Sequence, residues 1–154
     1  MVLTLLRVEN SLPKTKSLER FIKAQDQTYE LALAEIKQGK KRSHWMWYIF
    51  PQLKGLGFSD MSQYYGITDI SEANAYLKHV ILGTRLIQIS EELLKLPTTD
   101  ACQIFGSPDE LKLRSSMTLF ALIKDADKVF EKVLTKFFDG KKDPKTLSFT
   151  NKVY

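Results

Sequence analysis

The chain has 154 residues, of which 44% are hydrophobic and 27% are charged, as is typical of one globular domain with its own core. No apolar run approaches the roughly 20 residues that a membrane span needs, and the run at residues 2–6 is too short for a signal peptide. The formal net charge of +5 is mild. It permits an anionic ligand or weak nucleic-acid binding without predicting either.

Cysteine and histidine are scarce. The single cysteine, Cys102, has no partner for an internal disulfide, so we expect the reducing environment of the cytoplasm. His44 and His79 are far apart and do not form a zinc-type ligand spacing with Cys102. No Walker loop or dinucleotide fingerprint is present. We therefore expect no metal and no cofactor.

The first element is a long helical stripe. Apolar residues recur at steps of three and four from Leu18 to Ile36, which predicts one amphipathic helix or two shorter helices broken near Asp26. Gly39 then predicts a helix end. We expect residues 1–16 to form a loose segment and residues 17–154 to form a single helical domain.

Shorter helices follow in chain order. Ser43 is expected to cap a helix over residues 44–50 that Pro51 ends. A helical turn is expected near residues 61–65. Ser71 is expected to open the next helix, and a further helix starts at about Val80.

The C-terminal half contains the best local helix signal, SPDEL. It predicts a capping box with Ser107 at the cap, Pro108 at the first helical position and Glu110 at the third. Asp125 is expected to cap the last long helix, which Gly140 ends. Since no alternating strand pattern is evident, the predicted fold class is all-α: one compact domain of six to eight mostly short helices.

Residues 42–47, RSHWMW, contain both tryptophans of the chain. Trp45 and Trp47 lie about 200° apart on a helix, so either the segment is buried all round or one indole faces a pocket. In the second case an indole stacks on a flat ligand and Arg42 meets a phosphate or carboxylate. Ser43 joins this predicted ligand-binding set, and His44 is the predicted general acid or base.

Residues 109–120, DELKLRSSMTLF, form the second candidate cluster. They predict either a capped core helix or a helix that lines a cleft. In the cleft interpretation, Asp109 and Glu110 are catalytic carboxylates that stabilise a developing positive charge. Lys112, Arg114 and Ser115 are then ligand-binding residues.

Four strings resemble one family in order and spacing: RSHWMWYIFPQLKGLG, YYGI…EANAYLKHVILGTRL, IFGSPDELKLRSSMTLFA and VFEKVLTKFFDGKKDPKTL. The family is known as domain of unknown function 1810, and the resemblance covers residues 18–147. It implies a small, mainly helical domain. Gln27 and Val80 stand where members often have proline. The calpastatin label sometimes attached to the family implies calpain inhibition. Because such inhibitors are largely disordered chains and this sequence is rich in core residues, we do not expect that activity.

A tryptophan-containing segment, a helix pair around LGTRL and a closing helix with the pattern VF..VL..FF.G follow one another in this chain. This layout faintly resembles that of the NADAR family. It implies ADP-ribose and N-glycoside chemistry. Our first hypothesis is therefore that a nucleotide or ADP-ribose-like ligand is bound, or an N-glycoside hydrolysed, in a cleft between residues 42–47 and residues 109–120. The alternatives are a non-catalytic protein-interaction module and weak nucleic-acid binding. The expected partners are an anionic small molecule or another protein, with no membrane.

Overall fold

The computed structural model describes the backbone of residues 13–151 and the side chains of residues 18–151. Of the segment expected to be loose, residues 1–12 lie outside the described residues, and residues 13–16 belong to the first helix. Within the described part no helix is long and apolar enough to cross a membrane.

The described residues form nine helices and one isolated parallel β-bridge, between Leu53 and Ile67. This confirms the all-α prediction, and two of the helices, Ala101–Phe105 and Pro144–Asn151, were not predicted. The helices are α1 (Pro13–Lys37), α2 (Met46–Ile49), α3 (Asp60–Tyr64), α4 (Ile70–Lys78), α5 (Val80–Lys95), α6 (Ala101–Phe105), α7 (Asp109–Ala121), α8 (Val129–Phe138) and α9 (Pro144–Asn151).

Helix α1 continues through Asp26 without a break, so the single-helix alternative is confirmed. Its buried face includes Leu18, Phe21 and Tyr29, at the spacing that the sequence stripe predicts. Gly39 ends the helix in the left-handed region, with φ +78°, and its backbone N–H donates to the carbonyl of Ile36.

Two predicted caps in the first half of the chain, Ser43 and Ser71, are wrong. Asp69, not Ser71, caps α4: its Oδ1 accepts from the backbone N–H of Glu72 at 2.8 Å. Helix α2 begins only at Met46 and has no side-chain cap, because Ser43 bonds to another helix, as described below. Propensity places Ser and Asp equally well at a cap, so the sequence alone did not choose between Asp69 and Ser71.

The capping box at residues 107–110 is not formed, because α7 begins one residue later than predicted. Pro108 stands at the cap position after a cis peptide bond, and no side chain caps the helix. Asp125 also does not cap α8. Its backbone is left-handed, with φ +61°, and the helix starts at Val129, whose N–H donates to Oδ1 of Asp127.

Helix α7 lies at the centre of the fold. Leu113 and residues 115–120 are all buried, and the helix packs against α4, α6, α8 and α9. Helix α5 packs against α1, α4 and α8 on the other side of the core. The sequence of α7 shows no single apolar stripe because nearly its whole circumference is covered.

The corner between α4 and α5 is tight. His79 separates the two helices, and its Nδ1 accepts from the backbone N–H groups of Ile81 and Leu82. A Cβ added at Gly83 would lie 2.0 Å from the carbonyl oxygen of Leu77. The two helices therefore meet more closely than any larger residue at position 83 allows.

Candidate functional site

A buried carboxylate, Glu35 on α1, organises the RSHW segment. Its oxygens accept from the backbone N–H groups of Arg42 and Ser43 at 2.8 and 3.0 Å. They also accept from the Ser43 hydroxyl at 2.6 Å and from the indole N–H of Trp45 at 2.9 Å. Four donors thus converge on one side chain that is 5% exposed.

These contacts set the ionisation of Glu35. Burial by itself would raise the pKa of the carboxyl. The hydrogen bonds from Ser43, Arg42 and Trp45 outweigh it and lower the pKa to about 2. Glu35 therefore stays charged at neutral pH and holds the loop that connects α1 to α2.

The two tryptophans have different environments. Trp45 is 0% exposed and packs against the rings of Phe50 and Phe105, with ring centroids 6.2 and 6.4 Å away. It is a core residue, so its indole is covered by protein. Trp47 is half-buried and is the indole of this segment that reaches the surface.

Arg42 and His44 are exposed at the edge of the same segment. The Arg42 guanidinium donates to Oε1 of Gln38 at 3.0 Å. The His44 carbonyl accepts from the Tyr48 hydroxyl at 3.4 Å. The described contacts of His44 are thus made by its backbone.

The two predicted segments do meet, through lysines. We call the contact between residues 42–47 and residues 109–115 the junction. Lys41, which precedes the first segment, places its Nζ 3.0 Å from Oδ2 of Asp109 and 5.1 Å from the centroid of Trp45. Lys112 lies 3.5 Å from Oδ1 of Asp109 and 5.4 Å from the centroid of Trp47. Two ammonium groups therefore neutralise the Asp109 carboxylate.

The other predicted residues of α7 also bond within the protein. Glu110 lies beside Cys102, and its hydrogen bond raises the pKa of that exposed thiol. Arg114 donates to the carbonyls of Lys141 and Lys142, both at 2.8 Å, and so fixes the segment that leads into α9.

Ser115, the last predicted ligand-binding residue, is buried on α7. Its hydroxyl donates to the carbonyl of Leu111, one turn earlier in the same helix, at 3.1 Å. It is therefore satisfied within its own helix and is covered from solvent.

The junction has little free space. A cavity that Trp47 and Lys112 line together has a volume of about 10 Å³, close to the minimum for one water molecule. Across residues 18–151, no group of three or more His, Cys, Asp or Glu side chains is arranged to hold a metal ion.

A much larger groove lies on another part of the surface, between α4, α5 and the connection from α7 to α8. Its volume is about 830 Å³, within the roughly 300–1,000 Å³ of typical ligand sites. Its apolar lining is aliphatic and consists of Ile70, Leu77, Ile87, Ile123 and Ala126.

Polar side chains border this groove on two sides. Ser71, Asn74 and Lys78 are three and four residues apart, so they share one face of α4. Lys124 and Asp125 stand on the opposite side, in the connection to α8. Among the described residues, none of these five side chains has a hydrogen-bond or ion-pair partner.

Sequence reasoning missed both Glu35 and the groove. A signal for Glu35 existed: an acidic residue lies within the otherwise apolar stripe that includes Ala32 and Ile36. No comparable signal marked Ser71, Asn74 and Lys78, because polar residues at helical spacing are also typical of a solvated helix face.

The fold and the motif strings can be compared with known proteins. Residues 15–150 match the family described as "Protein of unknown function (DUF1810)". The chain belongs to the DUF1810 family. The match includes all four strings quoted from the sequence, so the DUF1810 resemblance is confirmed.

A solved structure is similar over nearly its whole length. It is the crystal structure of the conserved hypothetical protein Rv1873 from Mycobacterium tuberculosis, 43% identical in sequence with a TM-score of 0.85. The similarity covers 87% of this chain and 96% of that one. No curated protein sequence matches the chain. The DUF1810 match and this neighbour establish family and fold, and neither description names a ligand.

Proposed function

We propose that this DUF1810 protein binds a small ligand in the groove between α4, α5 and the α7–α8 connection. One observation carries the proposal: five polar side chains with no hydrogen-bond or ion-pair partner among residues 18–151 border an aliphatic surface in a groove of about 830 Å³. Ligand sites combine such apolar walls with a few polar groups that fix orientation.

The junction differs from the groove in the pairing of its polar side chains and in its free volume. The charges of Asp109, Lys41 and Lys112 are paired with one another, and the cavity lined by Trp47 and Lys112 has room for about one water molecule. A nucleotide requires several hundred Å³. We therefore move the proposed ligand from the junction to the groove.

The reaction predicted from the sequence stays a prediction. N-glycoside hydrolysis by His44, Asp109 and Glu110 needs a substrate close to those side chains. Nucleotides and ADP-ribose are the ligands that this prediction names, so the panel below includes them. The cytoplasm also stays the predicted location, based on the single cysteine.

Thermal unfolding tests the proposal with a panel of nucleotides, NAD, ADP-ribose, amino acids and short peptides. A ligand at 100 times its Kd adds about 2.7 kcal/mol of stability, which corresponds to a Tm shift of a few degrees for a domain of this size. Ser71→Trp places a large side chain at the groove and should abolish the shift. Thr135→Trp is the matched control, because Thr135 is exposed on α8 and does not line the groove.

Variants of the junction test whether the ligand binds there instead. Arg42→Ala, His44→Ala and Lys112→Ala should retain the ligand-induced shift in Tm. A shift that persists in Ser71→Trp but disappears in these three variants would place the ligand at the junction and would overturn the proposal.

The second candidate, a protein-interaction module, is favoured by one surface. Phe58, Met61 and Tyr64 lie around α3 and are 82%, 38% and 61% exposed. Exposed apolar clusters are typical of protein interfaces. None of the three lines the groove, so Phe58→Ser should leave a ligand-induced Tm shift unchanged. Nucleic-acid binding stays a prediction.

A further inference from the structure

The groove continues beyond the N-terminus of α4. A second cavity of about 300 Å³ shares Asp69 and Ile70 with the groove, and it extends to Leu53, Lys54 and Phe149. The two cavities therefore adjoin across the start of α4. Together they run from the α7–α8 connection to α9, which suits an elongated ligand better than a compact one.

The lining of the groove disfavours two common ligand classes. All its apolar side chains are aliphatic, so no aromatic ring there stacks on a base as in typical nucleotide sites. The charged side chains that line the groove are of both signs: Lys78, Lys124, Asp69, Asp125 and Asp127. A polyphosphate would meet repulsion from Asp125 and would find no cluster of arginines.

A peptide matches the same features. The Asn74 side chain has both a donor and an acceptor, as each peptide group does. The Ser71 hydroxyl also donates and accepts. Lys78 and Lys124 complement acidic groups, and Asp125 complements a basic group. Leucine, isoleucine or valine side chains complement the aliphatic walls of the groove.

We propose that the groove binds a short peptide segment in extended conformation, with aliphatic side chains at alternate positions. This inference rests on the proposed function and names its ligand class. An extended peptide places alternate side chains on one face, about 7 Å apart. The groove and the adjoining cavity, on either side of Asp69 and Ile70, then accept successive side chains from that face.

The test is an NMR titration of protein labelled at isoleucine methyl groups. Ile70, Ile87 and Ile123 line the groove, whereas Ile36 and Ile104 are buried elsewhere and serve as internal controls. The probe is a library of hexapeptides with Leu, Ile or Val at alternate positions and Asp, Lys, Ser or Asn between them. The matched library carries Ser at the aliphatic positions.

The aliphatic library should shift the methyl signals of Ile70, Ile87 and Ile123 and leave those of Ile36 and Ile104 unchanged. Ser71→Trp should weaken binding at least tenfold, and Thr135→Trp should not change it. The serine library should bind at least tenfold more weakly than the aliphatic one.

Three results would overturn the inference, and they differ in what they leave standing. If nucleotides shift the groove methyl signals and the peptides do not, the groove remains a ligand site for another class. If the peptides bind equally well to Ser71→Trp, they bind elsewhere. If neither the peptides nor the nucleotide panel shifts the three methyl signals, the proposed function fails with the inference.

Discussion

The junction and the groove differ in what their polar side chains contact. In the junction, Asp109 is paired with two lysines, and the neighbouring RSHW loop is held by Glu35. In the groove, Asn74 and Asp125 have no partner in the described part of the chain. The junction contains the more suggestive residue types, yet its described hydrogen bonds and ion pairs stabilise the fold. A polar group without a protein partner can bond a ligand and lose no contact of the fold, which is why the proposed site is the groove.

Removing the carboxylate of Glu35 should have the largest effect. Glu35→Ala leaves four donors near a buried site without their acceptor, including the indole N–H of Trp45. We expect a loss of more than about 3 kcal/mol in the free energy of unfolding, measured by urea denaturation. Glu30→Ala, an exposed position on the same helix, should cost less than about 0.5 kcal/mol. If the two variants lost the same free energy of unfolding, Glu35 would have no special role in holding the RSHW loop.

The second prediction concerns pH. The pKa of Glu35 falls from 4.5 to about 2 on folding, and each tenfold change in proton affinity corresponds to about 1.4 kcal/mol. The carboxylate therefore contributes about 3 kcal/mol that is fully present above pH 4.5 and lost as the pH falls toward 2. Urea denaturation at pH 6 and pH 2.5 should show that the stability difference between wild type and Glu35→Gln shrinks at the lower pH. A difference that is independent of pH would show that Glu35 does not titrate as proposed.

The α4–α5 corner, which positions Leu77 and Ile87 in the groove, gives the third prediction. Gly83→Ala places a methyl group against the Leu77 carbonyl, so the two helices must separate. We expect a cost of about 2–3 kcal/mol in unfolding free energy, together with weaker ligand binding in the groove. The neighbouring variant Thr84→Ala, at an exposed position, is the control and should be nearly neutral in both assays. A neutral Gly83→Ala would show that the corner is looser than the structure indicates.

The fourth prediction separates stability from binding within the groove. Asp125 adopts a left-handed backbone conformation, with φ +61°, which glycine adopts without strain. Asp125→Gly should therefore leave the free energy of unfolding unchanged or raise it by up to about 1 kcal/mol. The same substitution should lower the affinity of the groove for its ligand. Thermal unfolding with and without ligand measures both quantities. A clear loss of stability would mean that the Asp125 side chain supports the fold.

The smallest effects are expected at the exposed edge of the junction. Arg42→Ala and His44→Ala should each change the unfolding free energy by less than about 0.5 kcal/mol and leave ligand binding unchanged. Isothermal titration with any ligand found in the thermal panel checks the second part. A tenfold loss of affinity in either variant would support the junction as the binding site.

Local signals in the sequence were sufficient to predict most of the fold. The spacing of Leu18, Phe21 and Tyr29 predicted α1, and Gly39 marked its end. Helix α9 was missed, although Asp143 followed by Pro144 is a start signal: Oδ2 of Asp143 accepts from the Thr146 N–H at 2.9 Å. The site was harder to predict because whether a polar side chain is bonded within the protein depends on long-range contacts.

Glu35 and Asn74 show why the sequence alone did not predict the candidate site. Glu35 is next to apolar residues in the sequence and bonds a loop seven to ten residues away, a contact that helical periodicity does not report. Asn74 borders the groove only because α7 and its connection to α8 pack across from α4. Its sequence neighbours would be the same on a solvated helix.

Crystals of the protein soaked with a fragment library would test the central claim most directly. The library should contain amino-acid amides, dipeptides, nucleobases and sugars. We predict that fragments bind in the groove, in contact with Asn74 or Asp125, and that amides and dipeptides predominate. Fragments bound between Trp47 and Lys112, with the groove empty, would contradict the claim and return the ligand site to the junction.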